Sequence, residues 1–187
     1  MTSKNFKIYL AESNMPMKNK GFTVLELIVT LTIVTILMAV AVPSLSDMLE
    51  RNRVIGAAEK MKADIEWART TAIKNNTDII MTTTIGAADA WCYGFNDTGA
   101  ACDCSNANAC TVDGVTRQYD GTPFGDTTLG PIAGGYTMTL EPRGILAAAA
   151  PGAVTFTLNN ASATISVTRL GRSSICSTSL SQFPNCP

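Results

Sequence analysis

From residue 22 to residue 42 the sequence runs for 21 residues with a single charged side chain, Glu26. As a helix rising about 1.5 Å per residue, that run is about 31 Å long, enough to cross a hydrocarbon core of about 30 Å. The segment therefore reads as an N-terminal membrane helix. Lys18 and Lys20 stand just before it, and basic residues on that flank keep the N-terminus in the cytoplasm and send the rest of the chain across. A secretory signal peptide would have an apolar core of only about 7–15 residues, with a small-residue cleavage site after it. Here the run is longer, and the small residue Gly21 precedes it. Glu26 also does not suit a plain anchor. A carboxylate in lipid costs a few kcal/mol and normally has a partner.

Beyond this segment the charge is uneven. After Lys74 there is no lysine, and Arg117, Arg143, Arg169 and Arg172 stand against eight acidic residues. Such a balance argues against a broad nucleic-acid surface and leaves room only for a local basic patch. All six cysteines, Cys92, Cys102, Cys104, Cys110, Cys176 and Cys186, follow the apolar run. An even number on the exported side points to disulfides made in an oxidising compartment such as a bacterial periplasm. Cys176 with Cys186 is the expected C-terminal bridge, and the other four are expected to pair locally. A metal cluster fits less well, because Cys102-Asp103-Cys104 is not a CxxC knuckle and the sequence has no histidine.

Pro43 should kink or interrupt the helix, since it has no amide hydrogen to donate. Past it, residues 44–76 carry a helical pattern. Ala58, Met61, Ile65, Ala68 and Ala72 fall on one stripe suited to packing, and Glu59, Lys62, Glu66 and Arg69 are expected to face elsewhere. Gly56 weakens the helix and marks either a flexible point or nothing. Asn75-Asn76 reads as its stop. From residue 77 the texture changes to short strands rich in threonine, valine and isoleucine. These are expected at 78–84, 91–95, 115–119, 136–140, 154–158, 164–168 and 170–176. A hairpin turn is expected at 159–162, a disulfide-held loop at 96–114 and a second loop at 120–135. The fold class is α+β: one long N-terminal helix laid on an antiparallel β-sheet or sandwich head at 77–187. Its first half, 22–43, is the membrane segment and its second half, 44–76, is amphipathic.

Lys20-Gly21-Phe22-Thr23-Val24-Leu25-Glu26 closely resembles the class III leader junction of type IV prepilins and pseudopilins. The resemblance implies that a prepilin peptidase removes residues 1–21, cutting after Gly21 and methylating the new N-terminal Phe22. A start at Met15 or Met17 would give a shorter leader. Glu26 and Pro43 then become the fifth and twenty-second residues of the mature chain, where the family expects them. The resemblance also implies that Glu26 pairs with the N-terminal amine of a neighbouring subunit, so that cation and anion leave lipid together.

Trp91 to Asp97, Glu141-Pro142-Arg143-Gly144 and Leu170-Gly171-Arg172 resemble the GspH/FimT group of minor pilins and pseudopilins. So does Trp67-Ala68-Arg69-Thr70-Thr71-Ala72-Ile73. The resemblance implies the type IV pilin fold, with other major and minor pilins or pseudopilins as partners. It also implies a route from the bacterial inner membrane, head in the periplasm, into a filament. The role implied is priming or capping a type IV pilus, or the short pseudopilus of type II secretion.

Some members of the group bind DNA through Gly-Arg-x-Arg and serve in natural transformation. Here Gly171-Arg172 is followed by Ser173-Ser174, so the second arginine is missing and only Arg169 stands near enough to compensate. The alternative is that Gly171 makes a turn and Arg172 is a solvated strand end. For an enzyme, the missing histidine removes Ser-His-Asp, Cys-His and histidine-ligated metal chemistry. Glu141 and Asp126 could form a carboxylate pair, but sequence does not fix their separation, and Asp97 and Asp103, which with loop carbonyls could hold calcium, lack the EF-hand spacing. No phosphate-binding glycine loop follows a strand. The expectation is a structural subunit with no cofactor and no catalytic residue.

Overall fold

The computed structural model describes residues 21–86, 88–130, 136–147 and 152–186; residues 1–20 of the expected leader and the end of the expected 120–135 loop lie outside them. The chain divides into two compact units, one ending at Val42 and the other beginning at Pro43. One helix, α1, Val24–Asn75, contributes to both. Its start is built by Thr23, whose Oγ1 accepts the Glu26 amide hydrogen at 3.2 Å while its carbonyl accepts that of Leu27 at 3.1 Å. A threonine so placed satisfies one of the amide groups that every helix start leaves open. The expected interruption at Pro43 is absent, since α1 continues through it. Proline removes one backbone bond, and the bonded turns on either side carry the helix past the gap. The helix stops where expected. Asn76 takes a positive φ of 54°, and the Thr77 amide turns back to the Ala72 carbonyl at 3.3 Å.

Among the described residues of the second unit, α1 is followed by ten strands: β1 Ile79–Thr84, β2 Cys92–Asn96, β3 Thr111–Val112, β4 Val115–Thr116, β5 Gln118–Asp120, β6 Thr128–Gly130, β7 Tyr136–Leu140, β8 Ala153–Leu158, β9 Ala161–Val167 and β10 Ser173–Cys176. They form two four-stranded sheets, ordered β5-β2-β1-β7 and β10-β9-β8-β6, and a small β3-β4 ribbon. Neighbouring strands all run antiparallel. β9 shows why the sequence folds this way. Ala161, Ala163, Ile165 and Val167 turn inward while Ser162, Thr164 and Ser166 are half-buried between them, the period-two pattern of a sheet with one covered face.

The expected stripe on α1 is buried throughout. Ala58, Met61, Ile65, Ala68 and Ala72 join Val54 and Ala57 in one core with Trp91, Tyr93, Phe95 and Phe156. Alanines at the contact let sheet aromatics approach the helix closely. Gly56 lies beside the Phe124 ring, where a Cβ would make an ordinary contact at 3.4 Å. Glu66 and Arg69 do not face away as expected. Glu66 accepts a hydrogen bond from the Ser173 hydroxyl at 2.5 Å, and Arg69 Nε donates to the Gly144 carbonyl at 2.8 Å.

Several loop expectations change. The 96–114 loop contains a strand, because Asp113 and Gly114 both take positive φ (52° and 72°) and turn β3 into β4. That is the geometry of the tightest hairpins, and an Asp-Gly pair is its sequence signal. The 120–135 loop holds a short 3-10 turn, Thr122–Phe124, and β6, which pairs with β8. The β8–β9 turn is shorter than expected. Asn159, with φ 48°, and Asn160 make it alone, and Ala161 and Ser162 belong to β9.

Candidate assembly site

Every large apolar side chain from Phe22 to Val42 is at least 46% exposed, and Phe22 reaches 84%. Burying one such side chain gains about 2 kcal/mol, so the set represents more than about 20 kcal/mol. The net stability of a domain is only about 5–15 kcal/mol. A surface of this size is long and apolar enough for a membrane or partner helices to cover. The polar residues within the run are arranged to fit an apolar environment. Thr30, Thr32 and Thr35 each turn the hydroxyl back to donate to the carbonyl three residues earlier, at 2.7–2.8 Å. No free donor is left on those side chains.

Glu26 differs: its carboxylate has no ion-pair partner among the described residues. It lies one turn inside the capped helix start, near Gly21 and Phe22. Thr23 completes this site, and the sequence reading does not single it out. A signal for it exists, since threonine followed three residues later by glutamate marks a helix start.

The second unit presents a polar anchor at the middle of the packed helix face. Asp64 is buried, at 8% exposure. It accepts the Tyr93 hydroxyl proton at 2.7 Å and two contacts from Lys60 Nζ at 2.6 Å. Lys60 Nζ also lies 3.8 Å from the centre of the Tyr119 ring. Burial first, and the Asp64 charge second, push the Tyr93 phenol far above its ordinary range. The carboxylate is thus buried with both a cation and a neutral donor, which removes the penalty of an unpaired charge. Nothing in the residue spacing announces Tyr93 as its partner, because the two are brought together by packing.

The cysteines pair as Cys92–Cys104, Cys102–Cys110 and Cys176–Cys186. The C-terminal bridge and the local pairing of the other four are as expected. Cys92–Cys104 pins the 97–110 loop onto β2, and Cys102–Cys110 closes the loop on itself. A Cβ at Gly94 would stand 2.3 Å from the Cys110 sulfur, so only glycine allows that approach.

Arg169 and Arg172 flank one turn, with Gly171 at its corner. The Gly171 amide donates to the Thr168 carbonyl at 2.8 Å and the Thr168 amide to the Arg172 carbonyl at 3.0 Å. The turn Glu141-Pro142-Arg143-Gly144 repeats the same bonding. There the Gly144 amide donates to the Glu141 carbonyl at 2.8 Å and the Glu141 amide to the Ile145 carbonyl at 2.9 Å.

The two turns stack. Gly144 and Gly171 both have positive φ, 71° and 67°, and a Cβ on Gly171 would stand 2.3 Å from the Gly144 carbonyl oxygen and 2.9 Å from Arg69 Nε. The Leu146 amide bonds the Arg169 carbonyl at 3.0 Å across the junction. Arg143, Arg169 and Arg172 are all exposed here. The fourth distal arginine, Arg117, instead stacks over the Trp67 ring, 4.4 Å from its centre. The structure places the expected Arg169 and Arg172 on one turn and Arg143 on the turn stacked against it.

The family described as "Type II transport protein GspH" matches residues 57–171, well over half of the chain. The chain belongs to the GspH family. The match spans the packed part of α1 and most of both sheets and ends at Gly171, leaving β10 and the C-terminal disulfide loop of this GspH-family chain outside it. A second description, "Prokaryotic N-terminal methylation motif", matches residues 16–42, which include Gly21, Phe22 and Glu26. Among solved structures, the type IV minor pilin FimU of Pseudomonas aeruginosa is similar in two crystal forms. The first has a TM-score of 0.47 at 16% identity, covering 64% of this chain and 90% of that one. The second has a TM-score of 0.46 at 16% identity, covering 68% and 91%. No curated protein matches the chain.

Proposed function

We propose that this GspH-family chain is a minor subunit that primes assembly of, or caps, a type IV pilus. A prepilin peptidase cuts after Gly21 and the new amine of Phe22 is methylated. The helix start then waits in the inner membrane, with the head in the periplasm, until partner pilins cover it. Glu26 is the group that meets the neighbouring amine. The observation that carries this reading is the apolar helix that hides its threonine hydroxyls and leaves one carboxylate without a partner among the described residues. The chemistry is assembly rather than turnover. A count of surface pili by electron microscopy in a deletion strain and its complemented partner tests it. Loss of pili, restored by complementation, supports priming. Normal pili with lost protein secretion moves the subunit to a type II secretion pseudopilus, whose subunits use the same kind of helix.

A second reading is a DNA-binding subunit of natural transformation, and the stacked turns favour it. They gather Arg143, Arg169 and Arg172 on a distal head that is otherwise acidic. So few cations give modest affinity, with a salt slope of only about 0.9 per phosphate contacted. Salt titration of the soluble head, residues 47–187, against duplex DNA tests this reading, with Arg172→Gln as the control.

A further inference from the structure

We infer that Arg143 is a third phosphate contact of the arginine corner, held in check by Glu141. This assignment rests on the nucleic-acid reading above. The corner is built by backbone rather than by charge. Arg69 Nε holds the Gly144 carbonyl, Gly171 lies against that carbonyl, and the Leu146–Arg169 bond ties the second turn to the first. Arg143 is therefore carried on the same stacked unit as Arg169 and Arg172.

Its side chain is 75% exposed, and both Nε, at 3.1 Å, and Nη2 donate to one oxygen of Glu141, Oε2. Nη1 has no partner among the described residues, so part of the donor fork is open. Exposed ion pairs of this kind are weak, and a phosphate can compete with the carboxylate. The other acid at the corner, Glu66, is engaged by Ser173. Glu141 is thus the carboxylate that competes with a phosphate for Arg143.

The test uses the full chain in non-ionic detergent and a short fluorescein-labelled DNA duplex, read by anisotropy between about 50 and 200 mM salt. Arg143→Gln is expected to weaken binding roughly five- to tenfold at the low end and to make the slope of log affinity against log salt shallower by about 1. Glu141→Gln is expected to tighten binding by a few-fold, a gain that a misfolded variant does not produce. No binding by the wild-type chain at low salt overturns the nucleic-acid reading and this assignment with it. If Arg172→Gln weakens binding while Arg143→Gln changes neither affinity nor slope, the reading stands and the role of Arg143 is overturned. If Arg143→Gln weakens binding and Glu141→Gln has no effect, the contact stands and the restraint by Glu141 is overturned.

Discussion

Removing the Tyr93 hydroxyl tests whether the buried anchor on α1 is one coupled unit. Tyr93→Phe deletes a 2.7 Å bond to an ionised acceptor while leaving Asp64 its contacts with Lys60. A bond to a charged group contributes about 1.5–3 kcal/mol, so a loss of about 2 kcal/mol is expected. Asp64→Ala removes the acceptor and strands a buried hydroxyl, which costs about 3 kcal/mol. Lys60 is partly exposed and returns to water. In the double variant there is no hydroxyl left to strand, so it should be no less stable than Asp64→Ala alone. The coupling energy is then about 2 kcal/mol. Urea denaturation of the oxidised head, residues 47–187, followed by circular dichroism, measures this through midpoints at unchanged slope. Each kcal/mol corresponds to about 2–4 °C in melting temperature for a domain of this size. Losses that simply add in the double variant, or a Tyr93→Phe loss below about 0.5 kcal/mol, would refute the coupling.

The same hydroxyl predicts alkaline behaviour. Its ionisation is raised in the folded head above the ordinary value near 10, so its contribution is complete below about pH 10 and is lost as pH rises further. Absorbance titration should show Tyr93 ionising only together with loss of near-ultraviolet dichroism, and early, reversible ionisation of every tyrosine in the folded head counts against it. Gly171→Ala places a Cβ against the Gly144 carbonyl at positive φ and should cost roughly 2–3 kcal/mol; an unchanged urea midpoint would show that the turns do not need that contact. Glu26→Ala should leave cleavage and membrane insertion intact while lowering incorporation, and normal amounts in sheared filaments would sink that role.

The apolar run, its one carboxylate and the leader junction are legible in the sequence because each depends only on length, charge and adjacent residues. The helix stripe and most strands are legible for a similar reason, since alternation records which face will be covered. The C-terminal bridge is also within reach, because Cys176 and Cys186 are close in the chain. Where partners are distant in sequence, the tertiary structure decides the outcome. Helical spacing places Glu66 and Arg69 away from the packing stripe, yet both reach the sheet side of the head. Glu66 meets Ser173 across a separation of 107 residues and Arg69 meets Gly144 across 75. Long side chains at the border of a packed face can cover its edge, and which edge they meet depends on how the sheets lie. The same holds for Asp64 with Tyr93 and for the Leu146 amide with the Arg169 carbonyl. Local sequence makes each turn, but only the stacking of two glycines under Arg69 makes the turns one surface.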